Sequence, residues 1–589
     1  MDITTRKRKE RDDDSATAAT KSDDENSING AHLEAEPTHK RQRTVEPKAV
    51  QIEDEEELKN GMKDLEVEDE NEDEDQDLQV VVPREKAPME GYDDLYLDTI
   101  NRNVLDFDFE KLCSISLSNI NVYACLVCGK YYQGRGTKSH AYFHALEVGH
   151  HVFINMQTQK VYVLPEGYEV KNKSLDDIKF VSDPTYTKEQ VMAMDREAKT
   201  SWTLSGKEYI PGFVGMNNIK DNDYFNVIIQ ALSHVPPLRN FFLLENFSNR
   251  PELIKRVSIL FRKIWNPRAF KSHVSPHELL QEISLKSNKK FNLTTQSDPV
   301  DFLSWFLNNL HLALGGSKTK PGSSVIQKIF QGKLKVESQA ITAKADAGDR
   351  LRFEDADVKT DVSRFMLLTL DLPAAPLFQD ELERNIIPQI PLTSILAKYD
   401  GLKAQEHLNM RKRYRLLHPL PPFLLFHIKR FSHNKFVDER NPTIVTFDAR
   451  NLDMSPYIEP DMKHARPGEP IWYDLVANIV HEAVRGREDS VEGESEKRSW
   501  KVQLRDKATG EWKVVQDLFV EGGQREFLHL GESYLQVWEK EEGGGWEGEG
   551  KGCLEVGFGG LIMNDLTSLP YTKIKSEPPT ANSITMIRR

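Results

Sequence analysis

The sequence predicts an α+β protein, and three observations carry that prediction. Apolar residues follow a helical period through the first half of a long central region, and they alternate in strand-like runs through its second half. A short segment dense in Cys, His and aromatic residues stands ahead of both. The 589 residues leave room for about three or four units.

Residues 1–88 read as a disordered tail. No Phe, Tyr or Trp precedes Tyr92, so this stretch has too little apolar surface to offset the entropy of ordering it. Residues 51–77 hold fifteen Asp/Glu against two Lys, or −13 of the chain's −15, so the remaining chain is close to neutral. Wholesale electrostatic binding of nucleic acid is therefore not expected. Two basic clusters, Arg6-Lys7-Arg8-Lys9 and Lys40-Arg41-Gln42-Arg43, read as nuclear-import signals. The N-terminus lacks the apolar stretch of a secretory signal, and no apolar run is long enough for a membrane helix. Four cysteines in a chain of this length do not make a disulfide scaffold, which fits a reducing compartment.

Residues 89–190 carry the Cys/His segment. Cys125 and Cys128 are spaced so that a tight turn can aim both sulfurs at one ion. His140, His144, His150 and His151 follow within twelve residues. Two thiolates and two of these imidazoles would complete a tetrahedral Zn²⁺ site. His140 and His144 share a helix face at i,i+4, and Gly149 marks a helix end before His150.

After a polar, helix-prone bridge (Lys188 to Lys199) that runs into a linker drawn at 191–208, residues 209–545 form the long region. Helices are expected over Asn226–Ser233, Glu252–Trp265 and Pro299–Leu314. Strands are expected over Phe365–Leu372, Phe423–Phe431, Tyr473–His481, Trp500–Leu504 and Tyr534–Trp538. Residues 546–589 read as a partly disordered extension. Within it, Ile574-Lys575-Ser576-Glu577 matches the apolar-Lys-x-acidic pattern of SUMO attachment, which makes Lys575 a modification candidate.

The stretch from Cys125 to His151 resembles the UBP-type zinc finger of ubiquitin-specific proteases and their relatives. The resemblance implies one structural zinc on Cys125, Cys128, His144 and His150, with His140 as the rival ligand. Cys113-Ser114-Ile115-Ser116 looks like an upstream pair that has lost its second thiol. Some fingers of this type bind the ubiquitin C-terminus, and the thinned Cys pattern argues against that here.

Six collinear blocks resemble the ubiquitin-specific protease domain: Gly215 to Leu232, Gln296 to Leu303, Ile329 to Gly332, Leu370 to Pro373, Leu420 to Phe431, and Tyr473 to His481. They imply a papain-like fold with a helical thumb, a β-rich palm and β fingers. No CxxC pair lies between Cys128 and Cys553, so the fingers must hold without a zinc ribbon.

The same resemblance locates the chemistry, and the chemistry is missing. The nucleophile position reads Asp223 and the oxyanion-donor position reads Asp221. Ser499 stands where the general-base His belongs, and Gln516, with Asp517 beside it, occupies the third position. A thiol protease needs a thiolate, an imidazole to activate it and donors for the oxyanion. An ionised carboxylate only accepts hydrogen bonds. His481 as a substitute base would be the route to an active enzyme; the plainer reading is a structural histidine.

A UBP-type finger, a degenerate protease domain and a tail with basic clusters together resemble the inactive, splicing-associated branch of the family. That resemblance implies a nuclear scaffold that helps assemble or hold the U4/U6.U5 tri-snRNP, with spliceosomal proteins as partners. No RNA-recognition motif is visible and the Lys/Arg are dispersed, so contact with RNA is expected to be indirect. No membrane partner is expected. The alternatives are a ubiquitin-binding reader and an active deubiquitinase.

Overall fold

A computed structural model describes residues 95–345, 351–355, 357–374, 387–407, 409–433, 438–461, 469–484 and 497–541. Contacts divide the chain into Met1–Gln79 and Val80–Arg589, and all described residues belong to the second unit. The two import clusters, the acidic block, Cys553 and Lys575 lie outside the described residues.

The finger is built on a five-stranded antiparallel sheet. Its order is Tyr131–Gln133, Val122–Cys125, Val152–Asn155, Val161–Val163 and Tyr168–Val170. Strand alternation splits its side chains between two cores. Val122, Ala124, Val152 and Ile154 pack with Leu105, Phe107, Leu175 and Ile178. Tyr123, Cys125 and Phe153 face the other way, onto Ala141 and Ala145 of the helix His140–Val148. That second core is where the metal-ligating residue types collect.

The thumb is a stack of helices: Asp223–Ser233, Pro236–Leu244, Glu252–Ile264, His277–Lys286, Pro299–Ala313 and Val325–Phe330. Asp223–Ser233 is buried along its whole length and forms the spine of the domain. Its start lies three residues ahead of the sequence expectation, because Asp223 to Phe225 join the first turn. Asp298 caps the helix Pro299–Ala313, accepting from the backbone N–H groups of Val300 (2.7 Å) and Asp301 (3.2 Å). The polar bridge is helical over Lys188–Ala193, with a capping box of Thr187 and Gln190. Val191 enters the thumb core, and Asp195 takes a bidentate bond from the buried Arg239 (2.9 and 2.8 Å).

The palm is one twisted sheet. Its order is Leu368–Asp371, Phe423–Lys429, Glu532–Lys540, Trp472–Val484, Lys497–Arg505, Trp512–Gln516 and Phe519–Gly523. The first pair is parallel and the remaining neighbours are antiparallel. The fingers rise from it on the strand Gly332–Ala345, flanked by Lys359–Phe365 and Met410–Leu417. Helices first and strands later thus assemble into the thumb, palm and fingers of a papain-like α+β fold.

The finger is bolted to the thumb. Lys263 donates to the Phe107 carbonyl and pairs with Asp108. Lys271 reaches Asp106 at 2.7 Å and Asp108 at 3.0 Å. Asp108 also accepts from the backbone of Ser275 at 3.0 Å.

Candidate functional site

Two sites follow from the residues singled out above. In the first, a single group forms among the described residues: Cys125, Cys128, His144 and His150 place one donor atom each, all within 4.8 Å of one another. Cys125 ends a strand and Cys128 lies in the turn beyond it. Gly129 (φ 75°) reverses the chain, where a Cβ would stand 2.5 Å from the Val104 carbonyl oxygen. His144 projects from the middle of its helix and stacks on Tyr132, centroids 4.2 Å apart. The helix ends at Gly149 (φ 73°), and the reversal turns His150 back onto His144. His144 Nε2 lies 3.5 Å from Cys128 Sγ and 3.1 Å from His150 Nδ1.

The donor chemistry fits zinc: two sulfurs and two imidazole nitrogens at separations that a tetrahedral ion with bonds of about 2.0–2.3 Å would bridge. A hydrogen bond from Cys125, with backbone and imidazole donors, pulls the Cys128 thiol below its ordinary range against the opposing effect of burial. His140 opens the helix, half-buried, and is not in the group. His151 points elsewhere: its Nδ1 meets the Leu164 carbonyl at 2.8 Å and its ring stacks on Tyr96. Cys113 is buried apart, with the Ser116 N–H 3.4 Å from its sulfur.

The second site lies where thumb meets palm. Asp223 opens the spine helix and is 5% exposed. Its carboxylate accepts from its neighbour Tyr224 N (2.8 Å), from Gln296 Nε2 (3.1 Å) and from the backbone N–H of Trp500 in the palm (3.1 Å). Burial raises its pKa, and these three donors offset only part of that. Ser499 is adjacent, and its hydroxyl accepts from Gln516 Nε2 at 3.1 Å. Asp221 sits half-buried on the loop leading into the helix.

That loop is held by amides. Asn222, fully buried, donates to Asn226 Oδ1 (3.0 Å) and accepts from the Ile219 N–H (2.6 Å). Asp517, in a left-handed turn (φ 49°), accepts from Asn218 (3.1 Å) and Asn226 (3.3 Å). His481 is not poised over this cleft chemistry. Its Nδ1 is engaged by Glu532 at 3.2 Å, and its ring is boxed by Phe431 and Trp500, both with centroids 5.1 Å away.

Sequence reasoning located Asp221, Asp223, Ser499 and Gln516, and named Asp517 only as a neighbour. It missed the roles of Gln296, the Trp500 N–H and the Asn218/Asn222/Asn226 network. The density of Asn between positions 217 and 226 was the available signal.

The family described as ubiquitin carboxyl-terminal hydrolase matches residues 214–520, and the zinc finger of ubiquitin-hydrolases and other proteins matches residues 113–175. The chain belongs to the ubiquitin carboxyl-terminal hydrolase family. Within it, the chain is 52% identical to the probable mRNA-splicing protein ubp10 of Schizosaccharomyces pombe, covering 76% of this chain and 88% of that one. It is 48% identical to human ubiquitin carboxyl-terminal hydrolase 39, covering 76% and 80%. The pre-mRNA-splicing factor SAD1 of Saccharomyces cerevisiae is 34% identical, covering 79% and 97%. Among solved structures, an essential yeast splicing factor superposes with a TM-score of 0.61 at 33% identity, over 76% of this chain and all of that one. A hydrolase-family fold is thus shared here with relatives named as splicing factors.

Proposed function

We propose that this chain is a non-catalytic scaffold in pre-mRNA splicing, one that assembles or stabilises the U4/U6.U5 tri-snRNP through a protease fold without protease chemistry. The observation that carries the reading is the bonding of Asp223. The position that would need a thiolate holds a carboxylate, and that carboxylate is occupied by Gln296 and by the Trp500 N–H. Among the described residues no imidazole hydrogen-bonds to it; Ser499 takes that position and is tied to Gln516. A fold that keeps its architecture but not the reacting groups keeps binding as its use. The splicing names of relatives that cover most of this chain support the same reading.

Several elements belong to this reading. One structural zinc per chain is held by Cys125, Cys128, His144 and His150, a closed set with no position left for a reacting water. Spliceosomal proteins are the partners. The nucleus is the compartment, reached through Arg6–Lys9 and Lys40–Arg43, and Lys575 is a site of SUMO conjugation.

The test has two arms. The purified chain should not hydrolyse a fluorogenic ubiquitin substrate, and it should restore tri-snRNP levels and splicing to a nuclear extract depleted of it. Turnover of the substrate would overturn the non-catalytic half; failure to recover tri-snRNP proteins and RNAs with the chain would overturn the other.

A further inference from the structure

The cations that look dispersed along the sequence are gathered by the fingers sheet. Strand register sets Lys333 opposite Arg364 and Leu417, Lys335 opposite Val362 and Arg415, and Glu337 opposite Arg413; Gln339 lies opposite Arg411. Because side chains alternate along a strand, all of these stand on one face. Ion pairs agree with that register: Lys335 meets Glu337 at 3.2 Å, and Arg411 meets Glu406 of the next strand at 3.2 Å. The opposite face carries Leu334, Tyr414 and Leu416, which pack toward the palm core. The cationic face therefore points away from that core, and Lys333, Arg364, Arg411 and Arg413 are exposed on it.

The face holds six cations, Lys333, Lys335, Arg364, Arg411, Arg413 and Arg415. Among the described residues four carboxylates reach it: Glu337, Glu406, Glu459 and that of Asp400, whose backbone bridges to Arg415. Glu337 and Glu459 pair with Lys335 and Glu406 with Arg411, while Asp400 accepts from the backbone of Leu402 and Lys403. Among the described residues no carboxylate pairs with Lys333, Arg364 or Arg413. Along a strand, successive same-face residues are about 7 Å apart, and strands lie about 4.8 Å apart. The result is a two-dimensional grid of positive charge, four of its six members arginines with a planar fork suited to phosphate.

We propose that this fingers face binds the phosphate backbone of RNA directly and without reading its sequence. A protein partner fits poorly, since interface cores are depleted in charge and the only apolar side chains in these rows are Val362 and Leu417. On this face, between Lys333 and Gln339 and their register partners, no described side chain is aromatic, so the contact there is electrostatic and salt-dependent. The choice of RNA over an acidic peptide rests on the splicing reading above; the binding itself is measured apart from it.

The test is fluorescence anisotropy of a labelled short RNA hairpin of arbitrary sequence with the full-length chain, across a series of KCl concentrations. Wild type should bind, with log K falling linearly against log[KCl]. The triple variant Lys333→Ala, Arg364→Ala, Arg413→Ala should weaken binding about tenfold or more and flatten that slope by roughly two to three. The charge-preserving pair Arg364→Lys, Arg413→Lys should keep the slope. Should the triple variant fail to fold, each single alanine variant should lower the slope by about one. Equal binding by wild type and variants would place the contact elsewhere, in the basic tail clusters, and overturn the proposal. A polyglutamate peptide that displaces the RNA at matched charge would overturn the choice of RNA. Neither result bears on whether the chain hydrolyses ubiquitin conjugates or restores splicing.

Discussion

Lys263 Nζ lies 3.0 Å from Asp108 Oδ1, and the two side chains are 6% and 8% exposed. An ion pair taken out of water therefore joins the finger to the thumb. Deleting one partner strands the other charge, which typically costs about 3–5 kcal/mol. Asp108→Ala should thus lower the unfolding free energy obtained from urea melts by about that amount, while Asp108→Asn, which keeps the acceptor for Ser275, should cost less. An Asp108→Ala midpoint equal to wild type would mean that finger and thumb are held by other contacts.

Acid should attack the fold in two stages. Burial lowers both His234 and His427 to about 4, against an ordinary value of 6.5. A depressed histidine contributes stability that is whole above 6.5 and is lost as pH falls through 4, because the unfolded chain takes up the proton first. Each could supply on the order of 3 kcal/mol over that window. Asp108 behaves differently: burial raises it, but Lys263 and Lys271 prevail and hold it at about 2. Its contribution survives until pH drops from about 4 toward 2. Melting temperature against pH should fall between 6.5 and 4, and His234→Gln with His427→Gln should flatten that limb. An unchanged slope in the double variant would reject the assignment.

Metal should be worth folding free energy in the finger. The protein should carry about one zinc per chain by elemental analysis, and Cys128→Ser should abolish it. Chelation should lower the melting temperature and expose Tyr132 and Phe153 to solvent quenchers. Metal-free protein with an unaltered melt would remove zinc from the account.

Repairing the nucleophile alone should fail. In Asp223→Cys the thiol has no imidazole partner and stays largely protonated near neutral pH. The Trp500 N–H and Gln296 lose their acceptor, and leaving buried donors unpaired costs about 1–3 kcal/mol. Adding Ser499→His should still leave activity far below that of an ordinary protease, since losing one oxyanion donor costs about 10²–10³ in rate and Asp221 offers a carboxylate instead. Any recovery should need Asp221→Asn, and Gln516→Asn as well. Robust turnover of a fluorogenic ubiquitin substrate by Asp223→Cys alone would point to His481 or another base.

Much of this is legible in the sequence. The CxxC pair and the histidine cluster pointed to the metal group because ligand spacing is local, set by one turn and one helix end. Asp223 and Ser499 were found because they stand in blocks whose order is fixed by the resemblance. Gln296 and the Trp500 N–H were not, because their meeting with Asp223 joins positions 73 and 277 residues away, and one of them is a backbone group with no signature in sequence. The basic fingers face was hidden for the same reason. Lys333, Arg364 and Arg413 are unremarkable along the chain, and only strand register sets them side by side.

The bonding of Asp223 also bears on how this lineage can change. The Trp500 N–H that grips the carboxylate joins palm to thumb, and Gln296 ties Asp223 within the thumb, so removing Asp223 first leaves both donors unpaired and brings no reactivity in exchange. Installing a histidine at 499 first severs the tie to Gln516 and activates nothing. A return to hydrolysis must therefore pass through intermediates that are less stable and no more active. On the non-catalytic reading proposed above, loss of the enzyme works as a ratchet, held shut by hydrogen bonds that the original catalytic residues would have to displace.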